Sequence, residues 1–298
     1  TQDLTKAKNL FQHGCNLNDG TGCVVLADMY FSGKGVERDL YIAQNLLKKS
    51  CDLNLGLGCG FLGKAYYNGI VSEPDIPAAI TVLNKGCSLN DAESCNGLGI
   101  IHYSKDLDTA KYFFQKGCEL NSGSACNYLG LIYSKSTNSD KDLATSIALF
   151  QKGCDLNFGQ SCGFIGTSYY VGHGISQDVA KAKPLLQKGC ILQDGSSCLW
   201  LGEMYVVGNG IEQDLATAKT LFQKGCEFNS PDSCMKFQQL SEQYQNIAPA
   251  NDLAVLKKME QELVHSQQYN NQMSGQVEQA RDFVLQSPGV LNVLNLKQ

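Results

Sequence analysis

Apolar side chains return at helical spacing along most of this chain. After Asp214, for example, Leu215, Ala218, Leu221 and Phe222 share one face of a predicted helix. A second pattern, Leu-Gly-x-x-Tyr, alternates with the first and predicts a shorter helix. It occurs as Leu62-Gly63-x-x-Tyr66, Leu129-Gly130-x-x-Tyr133 and Leu201-Gly202-x-x-Tyr205. Leu26/Tyr30 and Ile165/Tyr169 are close variants, and His102 stands in the tyrosine's place in the third copy. Four of these helices are expected to stop at a glycine turn: "SGKG" (32–35), "NG" (68–69), "GHG" (172–174) and "GNG" (208–210). The third copy lacks the turn, and the polar run "SKSTNSDKD" (134–142) keeps the length of the fourth without it.

Helices of the first kind share a start and an end. Each begins at an aspartate followed by Leu, Ile or Val: Asp3, Asp39, Asp75, Asp106, Asp142, Asp178 and Asp214. Aspartate there accepts bonds from the free first-turn amides and suits the positive end of the helix dipole. Each helix closes in Lys-Gly-Cys or a near variant, with the lysine expected to be a solvated group at the negative end. The cysteines complete the pattern at 15/23, 51/59, 87/95, 118/126, 154/162, 190/198 and 226/234, always C-x7-C. The first of each pair recurs every 36 residues, except for one 31-residue step between Cys87 and Cys118. A fixed period of this size marks a helical solenoid in which each unit covers its neighbour's apolar face.

These residues resemble the Sel-one-like repeats, relatives of the tetratricopeptide repeat, and more narrowly the Helicobacter cysteine-rich type. The resemblance covers roughly residues 3–240. It implies an all-α fold of stacked α/α hairpins in a right-handed superhelix of about six and a half repeats, with a protein-binding role. Lys-Gly-Cys departs modestly from the Lys-Ala-Cys more usual in that type.

Three readings of the cysteines compete. Each first cysteine closes one helix and each second opens the next, so a turn such as "DLNFGQS" (155–161) brings both to one corner, near the ~4.4–6.8 Å Cα separation of a disulfide. Closing such a loop contributes about 2–3 kcal/mol in the chain-entropy model. Zinc favours closer ligand spacing, and the four histidines (His13, His102, His173, His265) occupy unrelated repeat positions. A C-x-x-C redox pair is absent. The expectation is seven local disulfides, no metal and no cofactor.

The net charge of −5 leaves no basic excess for nucleic acid, and no apolar run is long enough to span a membrane. Fourteen cysteines point to an oxidising compartment, the periplasm or the extracellular space, with any targeting segment outside this sequence. The mitochondrial intermembrane space is an alternative. One Ser-x-x-Lys, Ser233 to Lys236, raises a β-lactam or peptidoglycan hydrolase as a competing function; no Ser-Asp-Asn or Lys-Thr-Gly accompanies it.

If the leucine and tyrosine of Leu-Gly-x-x-Tyr pack inward, variable positions between them face a concave groove. Just after the second cysteine these are Val24, Gly60, Asn96, Asn127, Gly163 and Leu199. Four further on come Asp28, Lys64, Ile100, Leu131, Thr167 and Glu203, and after the tyrosine Phe31, Tyr67, Tyr103, Ser134, Tyr170 and Val206. The expected ligand-binding set is Lys64, Tyr67, Asn96, Tyr103, Asn127, Tyr170, Trp200 and Glu203. The asparagines are read as grips on a peptide backbone, because one amide both donates and accepts. Residues 1–240 are expected to form the solenoid. Residues 241–298 are expected to form a helical cap, including 251–268, and an apolar tail, "SPGVLNVLNLKQ", that offers a route to self-association.

Overall fold

The computed structural model describes residues 2–135 and 140–243. Of the cap and tail expected over 241–298, residues 244–298 lie outside the described residues. Fourteen helices make up the described chain, with no strand among them. Seven carry the aspartate-to-cysteine pattern: α1 (Gln2–Asn16), α3 (Leu40–Asp52), α5 (Ile76–Ser88), α7 (Leu107–Glu119), α9 (Asp140–Asp155), α11 (Val179–Ile191) and α13 (Leu215–Glu227). Seven begin just before the second cysteines: α2 (Gly20–Ser32), α4 (Gly56–Asn68), α6 (Ala92–His102), α8 (Gly123–Lys135), α10 (Gly159–Val171), α12 (Gly195–Val207) and α14 (Pro231–Gln243). The architecture is an all-α repeat solenoid. Both kinds of helix are usually 13 residues long, so the Leu-Gly-x-x-Tyr helix is not the shorter one. The chain divides within α11 into two compact units, one ending at Leu185 and the other starting at Leu186.

Local chemistry sets the helix starts. Asp39, Asp75, Asp106 and Asp214 sit at N-cap positions and accept from amides in the first turn. Asp178 accepts from the Lys181 amide at 3.0 Å. Asp3 and Asp142 instead lie inside the first turns of α1 and α9. A second set of caps, not foreseen in the sequence, opens the other helices: Asp19, Asp91 and Asp194 accept from amides of α2, α6 and α12. Ser122 takes this role before α8.

The glycine turns form as expected. In the first, Gly33 and Gly35 take φ of 72° and 79°, a left-handed conformation that a side chain disfavours. The turn returns the chain so that the Asp39 amide bonds the Tyr30 carbonyl at 3.0 Å. In the 31-residue unit the Asp106 amide bonds the His102 carbonyl directly, at 2.8 Å. Tyr30 and Asp39 are nine residues apart and His102 and Asp106 four, so the deletion removes the turn and preserves the contact it serves.

All seven cysteine pairs are disulfides, each within one corner, with Cα separations of 4.5–4.7 Å. They are Cys15–Cys23, Cys51–Cys59, Cys87–Cys95, Cys118–Cys126, Cys154–Cys162, Cys190–Cys198 and Cys226–Cys234. The corner closes on Asn18, Asn54, Asn90, Asn121, Asn157, Gln193 and Asn229, all at positive φ. Asparagine tolerates that region better than most residues, which explains its return three positions after each first cysteine except at Gln193.

Core packing joins consecutive helices along the array, as where Ile100 of α6, Tyr103 just after it and Leu149 of α9 pack on the buried cluster of α7 and α8. The glycine of Leu-Gly-x-x-Tyr is where the partner helix comes closest. A Cβ on Gly99 or Gly130 would run into the ring of Phe114 or Phe150, and one on Gly63 into Leu83. These buried side chains seat directly on the glycine backbone, and their burial drives the helix pair together.

Candidate functional site

A concavity in the first unit lies between α2, α3 and α4. It measures about 290 Å³ and is open to solvent. Val24, Ala27 and Phe31 wall it from α2, Leu47 from α3 and Phe61 from α4, with Asp28 and Lys64 among its polar lining. Val24, Asp28, Phe31 and Lys64 are four of the variable positions read from the sequence as groove-facing. Phe31 and Phe61 remain 42% and 46% exposed. Phe61 was not foreseen, although the position two residues after the second cysteine is aromatic in four repeats, as Phe61, Tyr128, Phe164 and Trp200.

The remaining expected site residues fall in several environments. Lys64 and Tyr67 are exposed on α4. Tyr103 is half-buried and packs edge-on to Phe114 and Tyr128, at 6.0 and 5.8 Å between centroids. Tyr170 is half-buried, and its carbonyl accepts from Gln177 Nε2 at 2.8 Å. In the second unit Trp200 is half-buried, and Glu203 pairs with Lys236 at 2.9 Å.

Asn96 and Asn127 stand elsewhere than a groove surface: they are 6% and 1% exposed. Asn96 Nδ2 reaches Ser124 Oγ of α8 at 3.3 Å, and Ser161 Oγ of α10 donates to Asn127 Oδ1 at 3.0 Å. The disulfide pins the second cysteine against the preceding helix. The residue after it therefore points at the next repeat, and both amides tie neighbouring repeats together. One polar atom of each, Asn96 Oδ1 and Asn127 Nδ2, has no partner among the described residues.

The lysines before the first cysteines are also more than solvated ends. Lys49 Nζ donates to the Cys15 carbonyl and Lys152 Nζ to the Cys118 carbonyl, both at 2.6 Å and 34 residues back. Each satisfies a C-terminal carbonyl of the previous repeat's helix while complementing its dipole.

Ser233 is fully buried, with its Oγ 3.0 Å from Ser230 Oγ and 3.4 Å from the Gly195 carbonyl. It occupies the same corner position as Ser94, Ser161 and Ser197, each also buried and bonded. Its lysine partner in the Ser-x-x-Lys match is the Lys236 that pairs with Glu203. The serine is thus a packing residue of the repeat, sealed from any substrate. No group of three or more His, Cys, Asp or Glu able to hold a metal occurs among the described residues, and no described helix is long and apolar enough to cross a membrane.

Comparison with known proteins agrees with this geometry. The family model of the Sel1 repeat matches residues 21–55, 57–91, 92–122, 123–158, 160–194 and 195–227. A Sel1 repeat protein from Oxalobacter formigenes aligns with a TM-score of 0.66 at 22% identity, over 75% of this chain and 99% of that one. The uropathogenic Escherichia coli protective antigen c5321, which displays an SLR fold, aligns with a TM-score of 0.66 at 20% identity, over 85% of this chain. The alignment spans 59% of the length of c5321. Helicobacter pylori cysteine-rich protein B shares 34% identity over 44% of this chain and 93% of its own, with a TM-score of 0.36. A search of curated protein sequences returns no match. The chain belongs to the Sel1 repeat family, whose members serve generally as protein-interaction scaffolds.

Proposed function

We propose that this protein is a binding scaffold that takes a protein or peptide segment along the face of its even-numbered helices, without catalysis. The observation that carries this reading is the open apolar cleft between α2 and α4, walled by two exposed phenylalanines. Exposed apolar surface of this kind marks an interaction site. The proposed compartment is the periplasm or the extracellular space, because seven disulfides persist only where thiols are not kept reduced. Host interaction and envelope assembly both suit such a scaffold. The C-terminal apolar tail offers a further route to self-association.

The test is a crosslinking pull-down from the native compartment with wild type and with Phe31→Ser/Phe61→Ser. The reading expects defined partners that the double variant loses while its thermal unfolding is unchanged. Identical recoveries from both proteins would contradict it. A nitrocefin assay addresses the hydrolase alternative: turnover that vanishes in Ser233→Ala would be needed to support it.

A further inference from the structure

The cleft between α2, α3 and α4 has a counterpart two repeats on, and there the protein fills it with its own ring. Counted from the cysteines, Ala27, Phe31, Leu47 and Phe61 hold the same repeat positions as Gly99, Tyr103, Phe114 and Tyr128. Phe114 is fully buried. It stacks on Tyr128 with centroids 4.9 Å apart and planes 10° from parallel, and Tyr103 meets it edge-on at 6.0 Å. Gly99 leaves the space beneath it, since a Cβ there would strike the ring. The next repeat places Phe150 over Gly130 in the same way and stacks it on Phe164 at 4.9 Å. In the first repeat both aromatic walls are present, as Phe31 and Phe61, but the residue between them is Leu47. A cleft of about 290 Å³ lined by all three of these side chains stays open.

We propose that this cleft is the anchor pocket for one aromatic side chain of the bound peptide, which takes the place that the ring of Phe114 holds in the third repeat. The proposal rests on the peptide-binding reading above and adds the class of residue recognised. Size allows it, because a cavity of about 150 Å³ already admits benzene. Geometry favours an aromatic over an aliphatic anchor, because a ring can stack on Phe61 and meet Phe31 edge-on, as Phe114 meets its own two partners. Charge adds direction. Asp28 and Lys64 are exposed on α2 and α4, so the anchor carries a basic neighbour on the α2 side and an acidic one on the α4 side.

A displayed random-peptide library panned against the full chain tests this. The comparison protein is Ala27→Gly/Leu47→Phe, which copies the third repeat and fills the cleft from within. Phe61→Ala, which removes a wall without filling the space, covers the case in which the filled variant does not fold. The expected result is enrichment of peptides with one aromatic residue flanked by a base and an acid. The defined probe acetyl-Gly-Lys-Phe-Glu-Gly-amide should then give saturable NMR shifts at Phe31 and Phe61. Affinity should fall at least tenfold for the probe with alanine in place of phenylalanine, and likewise for either variant. Enriched peptides without an aromatic, or equal binding by the filled variant, would overturn the pocket and leave the scaffold reading intact. No enrichment on wild type would overturn both.

Discussion

Ser50 and Gly58 face each other across the second disulfide corner so closely that a Cβ on Gly58 would collide with the serine's Oγ. One corner later the pair is reversed: Gly86 comes first, and a Cβ there would collide with Ser94. Gly153/Ser161 and Gly225/Ser233 repeat the second arrangement, and Gly117 faces Ala125. The two positions preceding the cysteines therefore share room for one side chain. Gly86→Ala or Gly58→Ala is expected to destabilise by about 1–3 kcal/mol through overpacking. The swap Ser50→Gly/Gly58→Ser should recover most of the loss seen for Gly58→Ser alone. Denaturant unfolding of the single and double variants checks this, and strictly additive losses would count against a shared space.

Gln193 is the one residue other than asparagine at the left-handed corner position, with φ 64°. Left-handed backbone is strained for most side chains and less so for asparagine. Gln193→Asn should stabilise the second unit by about 0.5–1 kcal/mol. A rise in melting temperature is expected there and none for Asn157→Gln, which should fall.

The disulfides should be held in the oxidised protein as seven local links. Peptide mapping by non-reducing mass spectrometry is expected to find the C-x7-C pairs and no free thiol. Replacing both Cys154 and Cys162 by alanine should cost about 2–3 kcal/mol in the chain-entropy model. Measured free thiols at several corners, or a zinc stoichiometry, would contradict the corner geometry.

Acid should weaken the helix starts. The hydroxyl and amide of Thr109 hold the Asp106 carboxyl below its ordinary 3.8, and the Lys181 amide does so for Asp178. At Asp214 burial pushes upward, but bonds from Thr217 and Ala216 outweigh it and the net shift is downward. A carboxyl with a lowered folded pKa binds protons more tightly when unfolded. Its stabilisation is therefore complete above the unfolded value and declines as pH falls through the lowered folded values. Thr109→Val should reduce stability at pH 7 and flatten its loss below about pH 4. An unchanged pH profile would remove Asp106 from the stabilising caps.

The spacing of cysteines, aspartates and glycine turns was legible because each is a local backbone device repeated in phase. Asp39 caps its own helix, and Cys154 reaches only as far as Cys162. The groove was less legible. Asn96 and Asn127 look like ligand amides until the neighbouring helices bring Ser124 and Ser161 onto them. The reach of Lys49 and Lys152 to carbonyls 34 residues back also depends on how repeats stack, which periodicity alone does not specify. Phe61 escaped notice for the same reason: its importance comes from Phe31 on another helix and from the leucine, rather than a ring, at position 47 between them.

The most direct test of the scaffold account is site-specific photo-crosslinking in the native compartment. A benzophenone side chain at Lys64, on the cleft, is compared with one at Tyr41, which is 67% exposed on α3. Discrete protein adducts from position 64 and none from position 41 are the predicted result. Equal labelling at both sites, or adducts at position 41 alone, would contradict binding along the even-numbered helices.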